Sequence, residues 1–250
     1  MGKMNKIIVE KEEKIKLANN VFDLEIKAAK VVIEVTGKVL VNEIINTTED
    51  NVEIIINLNK NSSLLYNRFL ISDKTNSNIT INQENDSNAI FNYSIIAYDK
   101  GIITFNSNIK GDNNNTNIDI RAVTEKKGSL KIACTSDAVK KTKENIILED
   151  IRILILNNEE NIIIPDLLVS SNEVEVNHAA TLSGLKQDEL FYLMSKGLSR
   201  EASSNLIKNG FLINNLELPT SEQETIKELI GRWKIWIVKI FQCLKKALFI

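Results

Sequence analysis

The chain has 250 residues, 43% hydrophobic and 26% charged, with a formal net charge of −2. That is enough apolar material for one sizeable core with a small appended unit, and with no basic excess a nucleic acid is not an expected partner. Cys134 and Cys243 lie far apart and form neither a disulfide framework nor a paired-thiol motif, and the brief apolar run Ile7 to Val9 is too short for a secretory signal, so a cytoplasmic setting is expected.

Residues 1–20 read as an N-terminal extension. From Val21 to Gly184 short β-branched runs alternate with clusters of Asn, Asp, Ser and Lys, which is strand and turn chemistry. The clearest strand is Val52 to Leu58, where Val52, Ile54, Ile56 and Leu58 share one face. Similar runs follow at Ile79 to Ile81, Ile90 to Tyr98, Ile102 to Phe105, Ile118 to Val123, Leu130 to Cys134, Ile151 to Leu156 and Ile162 to Val169. Cys134 shares a face with Leu130 and Ile132, as a small core residue would. Of the adjacent carboxylates, Glu149 and Asp150 point to opposite faces of a strand and Glu159-Glu160 falls in a turn; a solvated surface is expected for both pairs.

A sandwich and a solenoid both fit this spacing. With nine Gly and two Pro the connections are Asn-rich instead of Gly-rich, and Asn stacked in successive turns favours the solenoid, although no clean repeat period is visible.

After Gly184 the periodicity becomes helical. Gln187 to Lys196 places Leu190, Leu193 and Met194 on one face, with Gly197 as the stop. Ser199 caps a second helix, expected to run to about Lys208 and to close at Asn209-Gly210. Beyond Pro219, Ser221 and Glu224 have capping-box spacing and open a third helix. Residues 219–250 are expected to end in an amphipathic helix, with Trp233, Trp236, Ile240 and Phe241 opposite Lys234, Lys239, Lys245 and Lys246. Such a helix suits packing on the chain's own core or a partner subunit, or contact with a membrane surface through 231–250; its charges rule out a span.

One segment is more specific. It runs Asn177-His178-Ala179-Ala180-Thr181, then Leu190-Phe191-Tyr192-Leu193-Met194-Ser195-Lys196-Gly197-Leu198, with Gly210-Phe211 further on. This resembles the C-terminal signature of the SufB/SufD family of iron–sulfur cluster assembly scaffolds, and Pro165, thirteen residues before His178, fits the family's last rungs. The resemblance is strong over Asn145 to Leu218 and compatible from Val52 to Glu144. It implies a right-handed parallel β-helix over 21–184 capped by a small helical region, so that the fold class is all-β with C-terminal helices. It also implies that residues 185–218 dock the ABC-type ATPase SufC, with Leu190, Phe191, Tyr192, Leu193, Gly197 and Phe211 as the candidate partner-binding residues. Pairing with a SufB-type subunit, or with a second copy, would follow through the core.

His178 is the single histidine. An imidazole nitrogen can ligate iron, and the resemblance implies that His178 contributes to a transient iron–sulfur cluster shared with a partner. The alternative role is to satisfy buried backbone groups where the last rung meets the helices. No thiol stands in the rung Leu148 to Arg152, where SufB-type members carry one, and Ala179 replaces their glutamate, which makes the chain SufD-like and leaves it without an autonomous all-thiolate cluster site. The family's N-terminal helical domain is expected to be missing. Without a phosphate loop, a Ser/His/Asp ordering or HExxH, no enzymatic activity is expected. Phe191, Tyr192 and Leu193 would, in any solenoid, serve to cap the open end of the core. A structural or membrane-docking relative without cluster chemistry is the alternative function; a carbohydrate-binding or lyase β-helix is disfavoured, because no acidic or basic cleft cluster is apparent.

Overall fold

The computed structural model describes residues 5–139, 142–169 and 173–231. Thirteen strands are present among them: β1 (Asn5–Val9), β2 (Glu13–Ala18), β3 (Val21–Ile26), β4 (Lys30–Thr36), β5 (Lys38–Leu58), β6 (Ser63–Gln83), β7 (Asn88–Ala97), β8 (Lys100–Ile109), β9 (Asn115–Thr124), β10 (Ser129–Ala138), β11 (Asn145–Ile155), β12 (Ile162–Val169) and β13 (Val174–Ser183). The helices α1 (Gln187–Ser195) and α2 (Arg200–Ile213) follow, and α3 occupies 220–231.

Every strand pairing is parallel. One row of strands runs β1-β3-β5-β6-β7-β9-β11-β13, and a second runs β2-β4-β5-β6-β8-β10-β12. The 21-residue strands β5 and β6 belong to both rows, turning the corner without a break. The result is the expected solenoid, of about six turns.

Alternation along each strand sends one set of side chains inward. Val52, Ile54, Ile56 and Leu58 are all buried, as are Leu130, Ile132 and Cys134. Tyr66 stacks on Phe91 at 4.7 Å, and Phe91 meets Phe105 edge-on at 5.0 Å, so aromatic rings fill the middle of the lumen.

Rung length explains why no repeat period is legible. Asn5 pairs with Phe22, Lys38 with Ser63, Ser63 with Asn88, Asn88 with Asn115 and Asn115 with Ile146, spacings that grow from 17 through 25 to 31 residues. The corners nevertheless repeat in conformation: Asn61, Asp86, Asn113 and Glu144 all have φ between +54° and +59°. Asn and Asp tolerate this left-handed region better than other side chains, so an Asn-rich chain can turn here with few glycines. Asn side chains also stack between rungs. Asn67 Nδ2 donates to Asn42 and Asn92 Nδ2 to Asn67, each 25 residues apart, and Asn57, Asn82 and Asn108 form a second ladder.

Two differences from the sequence reading concern the ends of elements. β1 and β2 form a rung upstream of Val21, where the core was expected to begin; interleaved Lys and Glu, paired across rungs as Lys6–Glu25 and Lys14–Glu34, hide the alternation. α2 runs through Asn209-Gly210 to Ile213 because Leu212 and Ile213 are buried against the sheet, and that burial outweighs the helix cost of one glycine. Ser199 does cap α2, accepting from the Ala202 N–H at 3.1 Å. α3 starts at 220, one residue before Ser221, with Pro219 O accepting from the N–H groups of Glu222 and Gln223. The amphipathic segment 232–250 lies outside the described residues.

The helices α2 and α3 lie along the flank of the solenoid. Leu212, Ile213, Leu216, Leu218, Ile226 and Ile230 pack on the outward side chains Phe69, Ile71, Ile96, Val123 and Leu154. In α3, Glu222 faces the buried Asn42 without reaching hydrogen-bond distance, and burial pushes its carboxyl above the ordinary range. A raised folded-state pKa means that this stability is fully present below the unfolded value of about 4.3 and is lost as pH rises through the folded value. Glu222→Gln is therefore expected to be more stable than the parent at pH 7 and equal to it at pH 3.5, as read from urea midpoints at the two pH values.

Candidate functional site

The two ends of the solenoid differ. At the first rung β1 and β2 also pair on one side only, but their inward Val9 and Leu17 are fully buried. At the other end, among the described residues, β12 and β13 each pair on one side only, with β10 and β11 respectively. On the lumen side of these strands Ile163, Leu167, Val174 and Val176 are only half-buried and Leu182 is exposed, while Ile162, Ile164 and Leu168 are exposed on the outer face. Pro165 stands in β12, an edge strand, where a missing N–H breaks no ladder. An open mouth lined with apolar side chains and bordered by two unpaired parallel edges is a surface that invites covering.

His178 sits in β13, exposed at this mouth, and its register partner in β11 is Glu149. Ile147, Glu149, Ile151 and Ile153 are the inward set of β11, so Glu149 points into the lumen and is only 3% exposed. The expectation that Glu149 is solvated is corrected here: it and Asp150 do lie on opposite faces, but the inner face at this rung is the lumen. Ser136 Oγ donates to Glu149 Oε1, and Cys134 is buried in the facing strand β10. Burial pushes the Glu149 carboxyl up and the Cys134 thiol well up. Cys134 is thus the buried core residue that its strand face implied, with a proton that it keeps at neutral pH.

On the outer face, Asp119 and Asp150 extend the register row of Asn42, Asn67 and Asn92. Arg121 bonds Asp119 at 2.8 Å and Asp150 at 3.4 Å, and Arg152 pairs with Asp150. Arg121 and Arg152 line a cleft of about 570 Å³ between the sheet and α2, closed on the helix side by Leu206 and Phe211.

The candidate docking residues divide into two groups. Leu190 is fully buried, and Phe211 packs into the flank cluster with Arg121 5.7 Å above its ring, so both hold the helices in place. Gly197, at φ +92°, lets the chain leave α1, with Gly197 N–H donating to Met194 O. Leu193 is half-buried. Phe191 and Tyr192 are 58% and 62% exposed, so their rings are not buried against the end of the core. Among the described residues no three His, Cys, Asp or Glu side chains converge as a metal cage, and no helix is long and apolar enough to cross a membrane.

A family model described as SUF system FeS cluster assembly, SufBD core domain, matches residues 6–211. An iron-sulfur cluster assembly SufBD family protein of Pyrococcus horikoshii is 36% identical over 92 residues, covering 36% of this chain and 20% of the relative. One of Archaeoglobus fulgidus is 37% identical over 68 residues, 27% of this chain and 18% of its own length. One of Staphylococcus aureus is 38% identical over 60 residues, 24% and 13% of the two chains. The matched stretches thus span 20% or less of these relatives. With the family model covering nearly all the described solenoid and the first two helices, the chain belongs to the SufBD core-domain family of the SUF iron–sulfur cluster assembly system.

Proposed function

We propose that this chain is one half of a non-enzymatic scaffold for iron–sulfur cluster assembly. Its open mouth pairs with a SufB-type subunit, or with a second copy, and its helices dock a SufC-type ATPase. The observation that carries the reading is His178 at an uncovered apolar mouth, on a terminal strand whose outer edge is unpaired. A partner strand laid along β13 would cover that surface and bring its own ligands to the imidazole. The iron and sulfide are cargo, held between the subunits, and the thiolate that this rung lacks comes from the partner.

Docking of the ATPase is assigned to α1. Phe191 and Tyr192 expose two large rings on a helix anchored from beneath by Leu190, and aromatic side chains of this kind dominate binding energy when a partner covers them. The double variant Phe191→Ala/Tyr192→Ala is expected to weaken SufC capture at least tenfold, measured by calorimetry on the full chain, with its urea midpoint unchanged. His178→Ala is expected to retain SufC and to lose cluster formation in the reconstituted complex. Full cluster formation by that variant would favour a structural relative without cluster chemistry.

A further inference from the structure

Glu149 is an expensive residue for its position. Its inward neighbours in β11, Ile147, Ile151 and Ile153, are fully buried, and packing alone would be served by another aliphatic side chain. Its Oε1 accepts from Ser136 Oγ, while Oε2 is buried with no hydrogen-bond partner. An unpaired buried acceptor is costly, and more so when it is charged. The cost falls at the rung that faces the mouth, beside the single histidine.

We propose that Glu149 and His178 together bind one divalent iron ion, as a carboxylate–imidazole half-site built within this chain. The two donors come from register neighbours on β11 and β13, on the same lumen face, and Ser136 Oγ holds the carboxylate from the side through Oε1. One oxygen and one imidazole nitrogen form a borderline-hard set that suits first-row divalent metals, and they leave most coordination positions open. That openness accords with there being no three-residue cage among the described residues. Iron would then be loaded on this half before the partner's thiolate closes over it. The choice of iron rests on the cluster-assembly function proposed above; the donor pair rests on register, burial and the unpaired oxygen.

The test uses the untagged full chain, so that His178 is the only histidine present. Anaerobic calorimetry with Fe(II) is expected to give one site. His178→Ala and Glu149→Gln should each weaken it at least tenfold, and the double variant should be no weaker than the weaker single. Zn(II), a diamagnetic stand-in, should shift the imidazole nitrogen resonances of His178 in the parent, and Glu149→Gln should require at least tenfold more Zn(II). Glu149→Gln removes a buried carboxylate and is expected to remain folded, which its urea midpoint checks. Parent-like Fe(II) binding by Glu149→Gln, or no binding by the parent at 1 mM Fe(II), on the order of the weakest affinity that counts as a site, overturns the pair. Failure of the pair leaves the scaffold reading intact if His178→Ala still abolishes cluster formation; failure of SufC capture by the parent removes that reading and leaves the metal measurement standing.

Discussion

Arg68→Met is expected to lower the unfolding free energy by about 3–5 kcal/mol, because it strands two carboxylates inside the solenoid. Arg68 and Glu43 are fully buried and Asp50 nearly so. The guanidinium pairs with Glu43 Oε2 through Nη1 and with both Asp50 oxygens through Nη2 at 3.1 Å. Tyr66 OH donates to Glu43 at 2.9 Å, Ser77 Oγ donates to Asp50 at 2.6 Å, and Arg68 lies 5.4 Å above the Tyr93 ring. The cluster is a closed set of charges away from solvent, and removing its only cation leaves Coulomb repulsion and desolvation uncompensated. Neutralising the acids as well, in Glu43→Gln/Asp50→Asn/Arg68→Met, should recover a large part of the loss. Denaturant unfolding of the single and triple variants separates the interaction from packing. A single variant within 1 kcal/mol of the parent, about the median for an exposed pair, would show that the cluster does not behave as a buried ion network.

Asn67→Leu is the second large effect, a loss of roughly 2–4 kcal/mol from buried groups left unpaired. Asn67 holds its rung neighbours Asn42 and Asn92 and also clamps the segment between α2 and α3, donating to Glu217 O and accepting from Glu217 N–H, both at 3.1 Å. Leucine leaves that peptide unpaired against the sheet. Asn215 Nδ2 and Ser94 Oγ tie the same stretch down nearby, the former to Tyr93 O and the latter to Leu212 O. Hydrogen exchange should therefore quicken over 214–218 and α3 before the strands, which locates the damage at the flank. Uniform loss of protection over the whole solenoid would instead mean that the Asn ladder, and not the clamp, carries the energy.

Much of the fold was legible because its causes are local. Alternation at Val52 to Leu58, the β-branched runs, the switch to helical spacing after Gly184 and the Ser199 cap are short-range patterns, and the structure contains each of them. The segment around His178 and Leu190 to Leu198 identified the family for the same reason, being a contiguous motif. Features set by inter-rung pairing were hidden. Lengthening rungs removed any repeat, and charged edge strands β1 and β2 carried no clean alternation. The helices' position on the flank depended on Phe69, Ile71 and Ile96 offering an outward apolar face, which no window of the C-terminal sequence contains.

The same division runs through the site. The sequence by itself determined short β-branched strands followed by helices, a contiguous SufBD-family motif, one histidine and no thiol in the rung expected to carry one, because residue type and local spacing are properties of the chain. Only the tertiary structure decided that Glu149 turns inward, that it neighbours a histidine 29 positions later in sequence, and that Phe191 and Tyr192 stay exposed while Leu190 and Phe211 do not. Those outcomes follow from which face of each strand meets the lumen and where the next rung stops, and both are fixed by contacts between residues a full turn apart.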